Sequence, residues 1–246
     1  MFLLGTGDVQ IRKVLGMAIS SRMPSEDPLS WIGRTVTKLY TLWLCVNYPF
    51  YTFGKEVSIH YTCSIARSTA SAISFGDSVY LAPHVWLNVA ATSSDGGPAI
   101  LLGKGCKIGR RSTISSRNRI CLEEDVLLAP SVLIMDHNHA YFDIDIPIHA
   151  QGITQGGTIL IERNCWLGHG AVIVCAKGEL VLGRNSVVGA NSVVTRSFPP
   201  YSVVAGNPAR LVRQYEPRLG RWIRANTDKA TQDLESKRSS PQMEGL

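Results

Sequence analysis

Aliphatic residues recur six positions apart through most of the chain, which points to a repeating unit larger than one strand or helix turn. In residues 159–204 the recurring positions are Ile161, Leu167, Leu182, Val188 and Val194. A period of six matches neither the 3.6-residue period of a helix nor the alternation of a single strand, so the unit is a short strand plus a turn. Such hexapeptide repeats predict a parallel β-helix, with aliphatic side chains inside coils of about eighteen residues. An ordinary sandwich of short strands is the alternative.

The same spacing is present earlier in the chain, where it is interrupted. Four groups of residues have this six-residue spacing: Ile59 and Ile65; Phe75, Leu81 and Leu87; Leu102, Ile108 and Ile114; and Leu122, Leu128 and Ile134. Breaks fall at residues 92–98, 117–119 and 135–158, and extra residues fall around 175–179. Insertions in a solenoid are tolerated at its corners, so we expect the segment 135–158 to project as a loop. Loops held on rigid scaffolds are where functional residues concentrate.

The two ends of the chain lack the repeat and are predicted to be caps. We expect a helical cap over residues 1–52, the β-helix domain over 53–205, and a turn, a short helix and a mobile tail over 206–246. The apolar run at 38–53 has a core of about a dozen residues, too short to span a bilayer, and residues 1–4 are too few for a signal-peptide core. Contact of this segment with a membrane surface, through residues such as Trp43 and Tyr48, is left open.

Composition and charge narrow the class of protein. Of the 246 residues, 45% are hydrophobic and 18% are charged, which is typical of a folded protein. The net charge of +6 suits a polyanionic ligand, but no Lys/Arg run is interleaved with aromatic residues, so we expect no nucleic-acid binding. The six cysteines form no CxxC pair and no zinc spacing, which favours reduced structural thiols in a cytoplasmic protein, located in the cytosol or at the inner face of the membrane.

Histidines are concentrated in the projecting loop. Three of the six, His137, His139 and His149, lie in or beside it. Residues two apart in an extended segment share a face, so His137 and His139 are candidates for a base with its orienting partner. They are equally candidates for two metal ligands, with His169 as a third.

Three stretches resemble a known family. They are VLLAPSVLIMDHNH, ILIERNCWLGHGAVI and VLGRNSVVGANSVVTRSFPPYSVVAGNPARLVR, and the resemblance covers residues 53–214. They resemble the hexapeptide-repeat O-acetyltransferases, in the branch of the maltose, galactoside and polysaccharide acetyltransferases. The resemblance implies a left-handed β-helix, a homotrimer, and acetyl transfer from acetyl-CoA to a saccharide hydroxyl at a site between two subunits. It implies no bound metal.

The resemblance also implies roles for individual residues. His137 takes the place of the catalytic histidine, with His139 as the second candidate. The implied acetyl-CoA-binding positions are Gly168, His169, Ala190, Thr195, Arg196, Arg210 and Arg213. The acceptor-side asparagine and aspartate of the sugar acetyltransferases fall on Gly109 and Arg117, so the acceptor is left open.

The chemistry of acetyl transfer supports the assignment of a histidine base and of arginines for CoA, independently of the resemblance. A sugar hydroxyl attacks a thioester only if a base takes its proton, and a neutral imidazole does this near neutral pH. Arginines suit the phosphates of a CoA molecule. Two other classes are kept as alternatives. One is a zinc enzyme like the γ-type carbonic anhydrases, using His137, His139 and His169; the other is a β-helix that serves only as a scaffold.

Overall fold

The computed structural model describes residues 30–91 and 97–225. It contains one α-helix, α1 (Ser30–Asn47), two short 3-10 helices (Arg67–Ala72 and Ile148–Ala150) and three sheets, here named A, B and C. Sheet A comprises β1 (Thr52–Phe53), β4 (Ile73–Phe75), β7 (Ile100–Leu102), β10 (Arg119–Leu122), β13 (Gly156–Ile161) and β16 (Lys177–Leu182). Sheet B comprises β2 (Ser58–Ile59), β5 (Tyr80–Leu81), β8 (Lys107–Ile108), β11 (Leu127–Leu128), β14 (Trp166–Leu167), β17 (Val187–Val188), β19 (Ser202–Ala205), β20 (Arg210–Glu216) and β21 (Arg221–Arg224). Sheet C comprises β3 (Ser64–Ile65), β6 (Trp86–Val89), β9 (Thr113–Ser116), β12 (Leu133–Met135), β15 (Val172–Val174) and β18 (Val193–Val194).

The chain passes through sheets A, B and C in turn, once per coil, and strands of successive coils pair in parallel. In sheet C, Ile114 pairs with Ile134, Ile134 with Ile173, and Ile173 with Val194. These aliphatic residues are fully buried. Because each buried aliphatic side chain contributes about 1.5–3 kcal/mol, the stacked interior columns are the main source of stability. The aliphatic positions predicted to line the interior are confirmed as buried, and so is the parallel β-helix.

Among the described residues, the interruptions of the repeat lie at one corner of the β-helix. Residues 117–118, 136–155, 175–176 and 195–197 each connect a strand of sheet C to the next segment of the chain in sheet A. The break at 92–98 falls between β6 of sheet C and β7 of sheet A. We name this edge the C–A corner. The corner between sheets B and C, the B–C corner, carries short turns of regular length. The irregular segments are therefore gathered on one side of the molecule, although they are spread over about a hundred residues of sequence.

Helix α1 covers the first coil. The Thr41 hydroxyl accepts a hydrogen bond from the backbone N–H of Ile59 in β2 (2.9 Å), and Leu44 is fully buried against the core. A cap of this kind protects the edge of the first strands from pairing with another chain. The predicted N-terminal helical cap is thus observed for the part that is described; the rest of it, residues 1–29, lies outside the described residues. No helix in the described ranges is long and apolar enough to cross a membrane.

The C-terminal cap is a β-hairpin, and the predicted short helix after the closing turn is wrong. Strand β20 pairs antiparallel with β19 and then with β21, so both strands extend sheet B. The physical reason is that β19 would otherwise end the sheet with unpaired backbone groups, which a hairpin satisfies and a helix does not. The predicted tail from residue 226 onward lies outside the described residues, and the division into three domains stays a prediction.

The cysteines are all free thiols. Burial raises the pKa of Cys63 to about 11, of Cys106 to about 12 and of Cys165 to about 11. Thiols that stay protonated near neutral pH are poor nucleophiles, so these side chains act as small core residues.

Candidate functional site

Hydrogen bonds between the two ends of the projecting loop fix its base at the C–A corner. The backbone N–H of Thr154 donates to the carbonyl of Asn138 (2.7 Å), and the N–H of Asn138 donates to the Thr154 hydroxyl (3.0 Å). Farther out, Ala140 N–H donates to Gly152 O (3.0 Å). These contacts hold the two ends of the loop together, so the residues at its base have a defined position.

Asp136 is the first residue of the loop and is fully buried. Its carboxylate accepts hydrogen bonds from the backbone N–H groups of Arg117 (2.7 Å), Asn118 (3.0 Å) and Arg119 (3.0 Å). The Ser116 hydroxyl donates to the same carboxylate at 2.8 Å. The break in the repeat at 117–119 is therefore a turn of consecutive N–H groups wrapped around one carboxylate. Sequence reasoning missed the role of Asp136. The signal that the sequence offered was an aspartate between the repeat strand that ends at Met135 and His137.

His137 is oriented by Asp136. The distance between His137 Nδ1 and Asp136 Oδ1 is 2.9 Å, and His137 is only 7% exposed. A carboxylate only accepts hydrogen bonds, so Nδ1 carries the proton and donates it to Asp136. In the neutral ring this leaves Nε2 with its lone pair available, which is the arrangement of an oriented general base.

The second candidate, His139, has a different environment. It is exposed and pairs through its backbone with Ile153 across the loop. His149 is also exposed and lies in the short 3-10 helix at the far end of the loop. The structure therefore separates the histidines that the sequence grouped together, since only His137 among them has a carboxylate partner in the described structure.

A cavity of about 580 Å³ opens between the loop and the next coil. One wall is formed by Asn138, the stacked rings of Tyr141 and Phe142, and residues 153–156. The other wall is formed by Ala176 and Lys177, which belong to the extra residues at 175–179. That insertion therefore borders the same cavity as Asn138, the residue that follows His137. A cavity with aromatic side chains and a few polar groups is the usual form of a small-molecule site.

Five of the seven positions implied for acetyl-CoA binding lie on two separate corners. Gly168, His169 and Ala190 are at the B–C corner, where Asn191 N–H donates to His169 O (2.8 Å). The backbones of successive coils are so close here that a Cβ on Gly168 would lie 2.8 Å from Ala190 N. Thr195 and Arg196 instead follow β18 at the C–A corner, the corner from which the loop projects, and both are exposed. Within one chain the width of sheet C separates the two groups.

Arg210 and Arg213 lie on the C-terminal hairpin with a third arginine that the sequence did not single out. Together with Arg224 they line a cavity of about 360 Å³. Arg213 is directly opposite Arg224 in the antiparallel pair of β20 and β21. Like charges directly opposite each other destabilise a strand pair, so an anion bound between them would relieve the repulsion. Sequence reasoning gave Arg224 no role. The signal for a strand was the apolar pair Trp222 and Ile223 after Gly220.

The histidines proposed for a zinc site are not brought together. His169 is at the B–C corner, whereas His137 and His139 are at the base of the loop. Within residues 30–91 and 97–225, no group of three or more His, Cys, Asp or Glu side chains could hold a metal ion. Within one chain, the three histidines therefore do not form a zinc site.

Curated relatives match the chain over part of its length, and no family model matches it. The putative lipopolysaccharide biosynthesis O-acetyl transferase WbbJ of Escherichia coli (strain K12) is 31% identical over 118 residues, which are 46% of this chain and 59% of WbbJ. The galactoside O-acetyltransferase of the same strain is 29% identical over 147 residues, 58% of this chain and 64% of that enzyme. The chain thus spans about three-fifths of the length of these relatives.

A solved structure with the same fold covers more of the chain. It is a crystal structure of a mutant of AntD, an N-acyltransferase from Bacillus cereus, in complex with dTDP and coenzyme A. The TM-score is 0.58 at 17% sequence identity, and the match covers 79% of this chain and 95% of AntD. The left-handed parallel β-helix predicted from the sequence is confirmed.

Proposed function

We propose that this chain, which is related to the hexapeptide-repeat O-acetyltransferases, transfers an acetyl group from acetyl-CoA to a hydroxyl of a saccharide acceptor. The observation that carries the proposal is the buried His137–Asp136 pair at the base of the loop. The next residue, Asn138, lines the cavity of about 580 Å³ under the loop. The relatives support the substrate class, since their names concern lipopolysaccharide biosynthesis and galactosides. Because acetyl-CoA is an intracellular metabolite, we propose a cytoplasmic location.

The reaction follows from the orientation of His137. As the acceptor hydroxyl oxygen attacks the thioester carbonyl carbon, Nε2 takes the hydroxyl proton and Asp136 stabilises the imidazolium that forms. The tetrahedral intermediate then collapses, the carbon–sulfur bond breaks, and the proton passes to the departing CoA thiolate. The products are the acetyl ester and CoA. No covalent intermediate on the protein is needed, because the hydroxyl itself is the nucleophile.

The two corners support an active site shared between subunits. His137, Thr195 and Arg196 are at the C–A corner, and His169 and Ala190 are at the B–C corner of the same chain. Both sets contribute to one groove only if the C–A corner of one subunit meets the B–C corner of the next. A ring of such contacts closes as a cyclic trimer of three-sided coils. Exposed apolar side chains on the flat sides, including Trp86 and Trp166, are available for such contacts.

The trimer is tested by mass. In light scattering we expect about three times the chain mass of 26.9 kDa. If a mass of one chain is found at the concentration at which the protein is active, the shared site is wrong.

The hairpin arginines are expected to bind phosphate groups of CoA. Arg213→Gln and Arg224→Gln should each weaken acetyl-CoA binding by about 1.5–3 kcal/mol, roughly 10- to 150-fold, because each removes charge-assisted hydrogen bonds. The loss should shrink at high salt, since the site is exposed. The measurement is titration calorimetry at low and high salt.

The matched control is Arg221→Gln, which removes the same charge from the same hairpin. Arg221 pairs with Glu216 and, being three residues from Arg224, points to the other face of the sheet. Equal weakening in all three variants would indicate only a diffuse charge effect and would contradict a phosphate site.

The proposed activity is tested by incubating the purified chain with acetyl-CoA and a panel of saccharides. We expect thiol release that depends on the saccharide, and a product heavier by one acetyl group in mass spectrometry. Binding of acetyl-CoA without transfer to any hydroxyl acceptor in the panel, or no binding at all, would contradict the proposal and favour the scaffold alternative.

A further inference from the structure

Helix α1 has an apolar face that no described part of the chain covers. We name it the outer face, and its residues are Trp31, Ile32, Val36, Leu39, Leu42, Trp43 and Val46, all exposed. At about 100° per residue they form an arc of roughly 140° along the length of the helix. An apolar surface of this extent on a folded protein is a sign of an interaction site.

The outer face cannot turn into the core, because the other side of the helix is fixed to the solenoid. Thr37, Thr41 and Leu44 are the buried residues of α1. The Thr41 hydroxyl accepts from Ile59 N–H at 2.9 Å and lies 3.1 Å from Ile59 O. The arrangement differs from that of a usual surface helix: Leu44 lies inside together with two threonines, and the tryptophans and the other two leucines lie outside. The apolar residues outside therefore need a partner other than the core.

The charges around the outer face identify the partner that it fits. On a helical projection Arg34 and Lys38 border one side of the arc, and the helix Ser30–Asn47 contains no acidic residue. The tryptophans lie near opposite ends of the arc, and tryptophan favours the boundary between lipid and water. A helix with an apolar face, a basic border and no acidic residue has the features of one that lies in the plane of an anionic membrane surface.

We propose that α1 binds an anionic lipid surface through its outer face, with the helix axis parallel to the membrane. An antiparallel two-fold contact between the outer faces of two copies is less suitable, because it would bring the same basic border of each copy together. The inference does not depend on the acetyl-transfer activity, since it rests on the charge and exposure of α1 alone.

The test is co-sedimentation of the full chain with vesicles of phosphatidylcholine alone and of phosphatidylcholine with phosphatidylglycerol. We expect binding to the anionic vesicles, at least about tenfold weaker binding to the neutral ones, and weakening as salt rises. Leu39→Ser combined with Leu42→Ser should reduce binding to anionic vesicles by at least about tenfold, because two apolar contacts are lost. Leu39→Glu is a second variant at a fully accessible position, for use if the double variant does not fold.

The matched control is Ile144→Ser combined with Ile148→Ser, which removes two exposed apolar side chains from the projecting loop. It should leave vesicle binding unchanged. No binding of the unaltered chain to anionic vesicles would overturn the proposal. So would equal binding to neutral vesicles, or a fall in molecular mass of the Leu39 variants in light scattering, which would show that the outer face is a contact between copies.

Discussion

His137→Ala is expected to lower kcat for acetyl transfer by about two to four orders of magnitude, the usual contribution of a general base. The protein should still fold, because four donors to the Asp136 carboxylate remain: the Ser116 hydroxyl and the N–H groups of Arg117, Asn118 and Arg119. Binding of acetyl-CoA should be nearly unchanged, since His137 is not among the residues implied for acetyl-CoA binding. Kinetics and titration calorimetry on the same preparation separate these effects.

The matched control is His139→Ala. This residue is exposed and has no carboxylate partner in the described structure, so kcat should change by less than about threefold. The opposite result, with activity retained in His137→Ala and lost in His139→Ala, would show that the general base has been assigned to the wrong histidine.

Asp136→Asn is expected to reduce kcat by about two to four orders of magnitude while acetyl-CoA still binds. The amide can present an N–H to His137 Nδ1, which would favour the other tautomer and put the proton on Nε2, where the lone pair is needed. The substitution should also lower the free energy of unfolding by about 3 kcal/mol or more, because buried N–H groups lose their charged acceptor. Urea unfolding measures this loss, and kinetics are measured well below the unfolding midpoint.

Ser116→Ala distinguishes positioning of the base from general stability. It removes one donor to Asp136 (2.8 Å) and leaves the contact between Asp136 and His137 in place. We expect a loss of stability of about 1 kcal/mol and little change in kcat. If Ser116→Ala and Asp136→Asn lowered kcat in proportion to their loss of stability, Asp136 would have only a structural role.

The interior of the solenoid could be predicted because its signal is local. Residues such as Leu167 and Val188 are buried because the aliphatic side chain of each flat side points into the interior of the coil. The six-residue spacing of aliphatic residues in the sequence follows directly from this. The loop was predictable for a similar reason, since residues 135–158 carry no such spacing. The handedness came from resemblance to a family, because the period alone does not specify it.

The C-terminal hairpin shows where local pattern fails. The run after Pro208 allows either a short helix or a strand, and the choice depends on whether β19 needs a partner at the sheet edge. That requirement comes from strands distant in the fold. The cross-strand pair of Arg213 and Arg224 follows from the same hairpin, so it too could not be derived from the sequence alone.

The sequence by itself determined the parallel β-helix, its interior residues and the histidines of the loop, because each depends on spacing within a few positions. Only the tertiary structure placed the breaks at 117–119, 135–158 and 175–179 on a single corner, since that depends on how the coils stack. Only the tertiary structure shows that the backbone N–H groups of residues 117–119 donate to the Asp136 carboxylate. The same carboxylate contacts His137, which distinguishes His137 from the other histidines of the loop. A hydrogen bond between residues about twenty positions apart depends on which positions of successive coils lie next to each other, and that register exists only once the coils have stacked.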